Sequence, residues 1–201
     1  MMNIAVFCSG NGTNLQAIIN AVKSRKLKSV KIALVVSDNP GAYALARAKK
    51  AGIKTLVVER SQFAAKSDFE KQIIGSLKKE NVRLVVLAGF MRIIGEDILR
   101  EYKGKILNIH PALLPSFKGA HGIKDAFDYG VKATGVTVHL VDDKMDHGPI
   151  ILQEAIPVKG NDTLESLESR IHKVEHKLYY KAIDLLVKGR IKIRGRKIGI
   201  I

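Results

Sequence analysis

A chain of 201 residues, 46% hydrophobic and 26% charged, is long enough to bury one large α/β core and has the composition of a folded protein, not a disordered one. The longest apolar runs, such as Leu84–Ala88, are too short to span a bilayer; the opening "NIAVF" has no charged lead or cleavage site, so no secretory signal is expected. Cys8, the single cysteine, excludes an internal disulfide and suits the reducing cytoplasm. The formal net charge of +15 favours anionic partners, and both a solvated lysine-rich surface and anionic small substrates account for it. Nucleic-acid binding is disfavoured, because aromatic residues make up only 5% of the chain and no nucleic-acid module is recognisable.

In chain order, "NIAVFC" reads as a short buried strand, "TNLQAIINAVKSRK" as an amphipathic helix and "VKIALVVS" as a second strand. "AYALARAKKAG" is a helix with a glycine stop, and "TLVVE", "DFEKQIIGSLKKE" and "RLVVLAG" complete a β-α-β-α-β-α-β series. That order implies an α/β fold: an open, mostly parallel twisted sheet with helices on both faces, Rossmann-like in its N-terminal half. Right-handed crossovers place the loop after each strand along one carboxyl edge, where ligands bind in open α/β sheets. The second half follows without a linker. It offers a strand "KILNIH", a Pro/Gly loop, a short helix near "GIKDAFDYG", and two strands, "TGVTVHLV" and "PIILQEAIPV". A long helix then runs over "TLESLESRIHKVEHKLYYKAIDLLVKG", opened by Asp162 or Thr163 as cap and closed by Gly189, and the tail "RIKIRGRKIGI" reads as a final edge strand. No repeat, low-complexity tract or composition break interrupts the chain, so a single domain over 1–201 is expected.

Between the first strand and the first helix lies "SGNGTN", Ser9 to Asn14. Gly10 and Gly12 allow a tight turn, Thr13 and Asn14 begin the helix, and the exposed N–H groups with the helix dipole favour an anion, most naturally a phosphate. A dinucleotide site fits less well. Leu15 stands where the third glycine of G-x-G-x-x-G belongs, and Asp38, the nearest acid at a strand end, lies well beyond the roughly twenty residues expected. A tight turn without a ligand is the remaining alternative.

Asn108 and His110 are two apart on a strand and therefore share a face, while Pro111 and Pro115 stiffen the departing loop. In "DDKMDHGPI", Asp142, Asp143 and Asp146 crowd a loop with His147, but without HExxH, CxxC or EF-hand spacing, so no metal is expected. Asp142 and Asp143 read equally as a solvated turn. Asp146 placed beside His110 would orient the ring and favour its protonated form, and Asn108 would offer an amide N–H to a developing oxyanion. Together they suit an acyl transfer without an enzyme nucleophile: there is no GxSxG, and Cys8 lies in an apolar strand. An incoming primary amine needs no covalent relay; the demanding steps are stabilising the oxyanion and protonating a poor nitrogen leaving group.

"SGNGTNLQAI", "VVLAGFMRI", "LNIHPALLPSFKGAHG" and "DHGPIILQ" match in order and spacing the pattern of the folate-dependent formyltransferases, which the chain resembles over nearly its whole length. The resemblance implies a formyltransferase fold, with a phosphate-binding half at about 1–104 and a folate and catalytic half at about 105–201. It implies transfer of formyl from 10-formyltetrahydrofolate to the amine of glycinamide ribonucleotide. By position, Gly12, Thr13 and Asn14 would hold the substrate phosphate, and His172 and Glu175 its ribose or amine end. Asn108, His110 and Asp146 match the catalytic trio. Lys66, Met91, Arg92, Ile93, Ile94, Asn108, Asp142 and Asp146 would frame the folate, and His121 is a further candidate near the site. Two departures stand out: Lys66 replaces an arginine and lacks its planar fork, and His147 occupies a place where a smaller residue is common. Read from the residues alone, Met91, Ile93 and Ile94 would be core or helix-start positions and Glu175 a solvated charge. Other expectations within the superfamily are formylation of another acceptor, such as initiator methionyl-tRNA, or hydrolysis of formyltetrahydrofolate. Such relatives carry an added tRNA-binding or regulatory domain, which is not expected here. A basic nucleic-acid-binding module is the reading from another class, and oligomeric state is left open between monomer and homodimer.

Overall fold

A computed structural model describes all residues, 1–201. The chain packs as two compact units, Met1–Leu107 and Asn108–Ile201. Seven strands form one sheet in the order β3-β2-β1-β4-β5-β6-β7, mostly parallel, as the alternating pattern implied.

In the first unit, β1 (Met2–Phe7) pairs in parallel with β2 (Val30–Ser37) on one side and with β4 (Leu84–Leu87) on the other, and β2 pairs in parallel with β3 (Thr55–Val57). Ile4 to Phe7 and Leu84 to Val86 are wholly buried, which explains why these strands are apolar without alternation: both of their faces are covered. The connecting helices are α1 (Thr13–Lys23), α2 (Tyr43–Lys50), α3 (Lys66–Lys79) and α4 (Glu96–Glu101). On α1 the buried set is Asn14, Leu15, Ile18, Ile19 and Ala21, one helical stripe. Truncating Ile18 to Ala would cost about 2–5 kcal/mol in lost burial and cavity.

α4 has no sequence signal of its own. Its cap residue, Gly95, makes no side-chain hydrogen bond; instead the buried carboxylate of Glu70 on α3 accepts from the N–H groups of Asp97 at 3.0 Å and Ile98 at 3.3 Å. An acid from a neighbouring helix thus satisfies the free N–H groups and the dipole at that helix start. A Cβ at Gly95 would sit 1.6 Å from Glu70 Oε1, so a larger residue there would displace the carboxylate that caps the helix.

The second unit holds the end of β5 (Ile106–His110), α5 (Gly122–Tyr129), the antiparallel pair β6 (Ala133–Leu140) and β7 (Ile150–Pro157), and the 24-residue α6 (Leu164–Val187). Of the two cap candidates for α6, Thr163 serves. Its side chain accepts from Ser166 N–H while Ser166 Oγ accepts from Thr163 N–H, a reciprocal cap. The tail departs from expectation: it is not an edge strand of the main sheet but an antiparallel hairpin, β8 (Ile191–Arg194) and β9 (Lys197–Ile200), forming a separate two-stranded sheet. The reason is Gly195, whose φ of 59° lets Gly195 and Arg196 close a two-residue turn that reverses the strand. No helix is long and apolar enough to cross a membrane.

Candidate active site

In the first unit, Gly12 caps α1 from the left-handed region (φ 73°, ψ 35°) and no side chain bonds the free N–H groups of the first turn. A Cβ at Gly12 would lie 2.7 Å from Ala44 Cβ and 2.9 Å from its Cα, so only glycine fits this approach of two helix starts. Thr13 is half-buried and Asn14 buried, with Asn14 Oδ1 lacking a partner. Arg47 braces the loop: Nε donates to Asn11 O at 2.8 Å and Nη2 to Asn11 Oδ1 at 2.9 Å. Its place on a helix four positions after Tyr43 carried no sequence signal for this role.

The loop after β4 is tied to the one after β1. Ser9 N–H donates to Gly89 O and Met91 N–H to Ser9 Oγ, both at 2.9 Å. Ser9 Oγ donates to Asp38 Oδ1, and Arg92 Nε donates to Asp38 Oδ2 at 2.7 Å. Met91 and Ile93 are 69% and 72% exposed, neither core nor helix start, whereas Ile94 is buried. Two large apolar side chains are thus held out beside a hydrogen-bonded loop. Lys66 is the first residue of α3, largely exposed, with Nζ 4.0 Å from Glu70 Oε1.

In the second unit the pleat of β5 turns Asn108 and His110 to one side, and the loop after β6 brings Asp146 to them. Asp146 Oδ2 lies 3.5 Å from His110 Nδ1 and accepts Gly119 N–H at 2.8 Å; Oδ1 lies 3.4 Å from Asn108 Nδ2. His110 is 3% exposed, with Nε2 2.7 Å from Phe117 O. Both ring nitrogens therefore face acceptors, an arrangement in which only the doubly protonated ring can donate to each. Gly122 abuts this ring: a Cβ there would come within 3.1 Å of His110 Nε2 and 2.9 Å of Phe117 O. Asp146 itself has φ 47°. Burial raises its pKa, but the His139 imidazole, the Gly119 N–H and the attraction of His110 outweigh that and hold the carboxyl below its ordinary range.

Sequence reasoning missed His139. It is buried on β6, with Nδ1 2.8 Å from Leu140 O and Nε2 3.2 Å from Asn108 Nδ2. With Nδ1 turned to the carbonyl, Nε2 lies beside both the Asn108 amide and Asp146 Oδ1, the latter at 3.7 Å, and so helps to orient that amide against the carboxylate. Strand parity within "TGVTVHLV" was the available signal, but a lone histidine among apolar residues gives no hint of its partner.

Asp142 is half-buried and Asp143 exposed. Asp142 Oδ2 is 2.7 Å from His147 Nδ1, and Oδ1 accepts Lys144 N–H at 3.1 Å. On α6, His172 Nδ1 is 2.7 Å from Oε2 of Glu175, which is buried and not a solvated charge. The hydrogen bond to Glu175 raises the His172 pKa, burial opposing, while burial lowers that of His176, whose Nε2 has no partner. His121 is exposed immediately before α5 and joins the trio through no hydrogen bond or ion pair; its carbonyl accepts Asp125 N–H. No group of three or more His, Cys, Asp or Glu side chains is disposed to hold a metal ion.

Comparison with known proteins meets this geometry from another side. The chain is 46% identical over 197 residues to the phosphoribosylglycinamide formyltransferase of Bacillus subtilis, covering 98% of this chain and 100% of that one. It is 43% identical over 192 residues to the trifunctional purine biosynthetic protein adenosine-3 of Gallus gallus; that match takes in 96% of this chain but spans only 19% of the relative's length. The crystal structure of glycinamide ribonucleotide transformylase 1 from Symbiobacterium toebii superposes with a TM-score of 0.96 at 41% identity, covering 100% of this chain and 94% of that one. The formyl transferase family pattern matches residues 2–183, and with that match and these identities the chain belongs to the formyl transferase family.

Proposed function

We propose that this chain transfers the formyl group of 10-formyltetrahydrofolate to the primary amine of glycinamide ribonucleotide, releasing tetrahydrofolate and the formylated ribonucleotide, as a step of purine biosynthesis. The observation that carries the reading is the convergence of Asn108, His110 and Asp146 within 3.5 Å contacts, in a family that moves formyl groups. The amine attacks the formyl carbon directly. Asn108 Nδ2 turns the N–H that lies 3.4 Å from Asp146 Oδ1 onto the oxyanion as it forms; the His110 imidazolium delivers a proton to the departing folate nitrogen, and the neutral ring left behind takes up the proton that the attacking nitrogen must lose. Asp146 orients that ring and balances its charge, and His139 holds the Asn108 amide in register. All of this is acid–base and hydrogen-bond chemistry, with no call for a metal.

The remaining assignments follow family position and local chemistry. Gly12, Thr13 and Asn14 hold the phosphate on uncapped N–H groups. His172 and Glu175 take the ribose or amine end, where a buried carboxylate can accept from either. Met91, Arg92, Ile93, Ile94 and Asp142 frame the folate, the exposed Met91 and Ile93 supplying apolar surface, and Lys66 meets its anionic tail as a point charge. The whole of 1–201 acts as one catalytic body in the cytoplasm, where the buried Cys8, its thiol pushed up to about 12 by burial, stays reduced and inert.

Incubating the protein with 10-formyltetrahydrofolate, with and without glycinamide ribonucleotide, tests the proposal. Deformylated folate should appear only when the ribonucleotide is present, in equal amount to formylated product. Deformylation at the same rate without it would make the protein a hydrolase, and no turnover across a broad pH range would overturn the reading.

A further inference from the structure

The family match ends at residue 183, yet the hairpin beyond it reaches back to the loop that carries Asp146. Arg196, at the tip of the β8–β9 turn, places Nη1 3.1 Å from His147 Nε2 and 3.3 Å from Nδ1, and its Nη2 donates to His147 O at 2.6 Å. His147 Nδ1 in turn faces Asp142 Oδ2 at 2.7 Å. The near-equal approach of Nη1 to both ring nitrogens lays the guanidinium against the imidazole, whose Nδ1 edge meets the carboxylate. The result is a chain of three side chains running from the hairpin tip to the start of the 141–149 loop, with a second bond to the backbone at residue 147.

That anchor sits beside a residue whose backbone needs holding. Asp146 adopts φ 47°, a conformation that costs on the order of 1 kcal/mol outside glycine and persists only when its surroundings enforce it. On its C-terminal side, Gly148 is packed so closely that a Cβ would sit 1.8 Å from Leu140 O. Between these two, the carbonyl of His147 is gripped by Arg196. The hairpin itself is closed at its open end, where Ile201 N–H donates to Arg190 O at 3.0 Å and Arg190 Nε to Ile201 O at 2.9 Å, so the arginine is presented from a defined support.

We propose that the C-terminal hairpin is a clasp, with Arg196 and His147 as positioning residues that fix the 141–149 loop and thereby the Asp146 carboxylate against His110. The inference rests on the proposed role of Asp146; His147 is the link between the loop and the hairpin.

Arg196→Ala tests it in the full-length protein by two readouts. Hydrogen exchange of the 141–149 amides should rise about tenfold while amides inside β6 stay unchanged, since only a local restraint is lost. Turnover should fall by about ten- to a hundredfold in kcat, with KM for the ribonucleotide within about threefold, because a displacement of about 1 Å at a catalytic carboxylate acts on the transition state. Arg196→Lys, which keeps a cation but not the fork, should recover part of the loss. In a His147→Ala background, where only the Nη2 bond to the residue 147 carbonyl remains to be lost, Arg196→Ala should cost less than in the wild type. Unchanged loop exchange overturns the clasp whether or not the protein turns over. So does a kcat within twofold of wild type, or full additivity of the two alanine variants. Absence of turnover in the wild-type protein would instead remove the proposed function, leaving the exchange result to judge the clasp alone.

Discussion

Replacing Asp146 by Asn separates the charge of this side chain from its structural work. At 3.5 Å from His110 Nδ1 and an effective dielectric of about 20, a full charge pair interacts by roughly 5 kcal/mol. Desolvation of the carboxylate offsets part of this, leaving about 3–4 kcal/mol, or a loss of about 10²–10³ in kcat. Asn tolerates the φ of 47° better than other residues and retains an oxygen for Gly119 N–H, so at neutral pH it should lose less stability than the Ala variant. Asp146→Ala should be equally inactive but less stable by about 2–4 kcal/mol, since it strands the Gly119 donor and strains the backbone. Single-turnover formyl transfer gives the first comparison and urea unfolding the second. The wild-type carboxyl is held below its ordinary pKa, so its stability contribution is present above the unfolded value of about 3.9 and lost as pH falls through the lowered folded one. The small gap between wild type and Asp146→Asn should therefore close in acid. An Asn variant within threefold of wild-type turnover would refute the assigned role, and an Ala variant as stable as Asn would refute the account of the loop.

Gly12→Ala should destabilise the protein by about 1–3 kcal/mol, because the new Cβ meets the Ala44 backbone and the φ of 73° disfavours it; KM for the ribonucleotide should rise while that for folate does not, in steady-state kinetics. Glu70→Ala should cost about 2–3 kcal/mol in thermal or urea unfolding, as two N–H groups of α4 lose their acceptor. His172→Asn should show a pH-dependent defect. The imidazole pKa is raised mainly by its hydrogen bond to Glu175, so its contribution is complete below the unfolded value of about 6.5 and disappears as pH rises through the raised folded one. Melting curves should separate variant from wild type at about pH 6 and converge by about pH 9; a constant gap would sink that assignment.

Local regularity in the residues was enough to establish the α/β alternation, the buried strands such as Ile4–Phe7 and the stripe on α1, because burial on two faces and the helical period write themselves directly into the order of apolar residues. The placing of Asn108 and His110 on one face was legible for the same reason, a two-residue period. What chain order could not contain were partnerships across it. Glu70 starts a helix 26 residues later through contacts to Asp97 and Ile98; His139 aligns the amide of Asn108 from another strand; Asp146 meets His110 only because its backbone takes a left-handed turn. The tail shows both sides in one segment. Its alternating Ile residues announced β-structure, and Gly195 with Arg196 carried a two-residue turn signal, but that the turn would deliver a guanidinium to His147 depended on packing. Direction and distance between groups far apart in sequence are set by how elements assemble, and those, more than residue type, decide whether an acid, a base and an amide become one site.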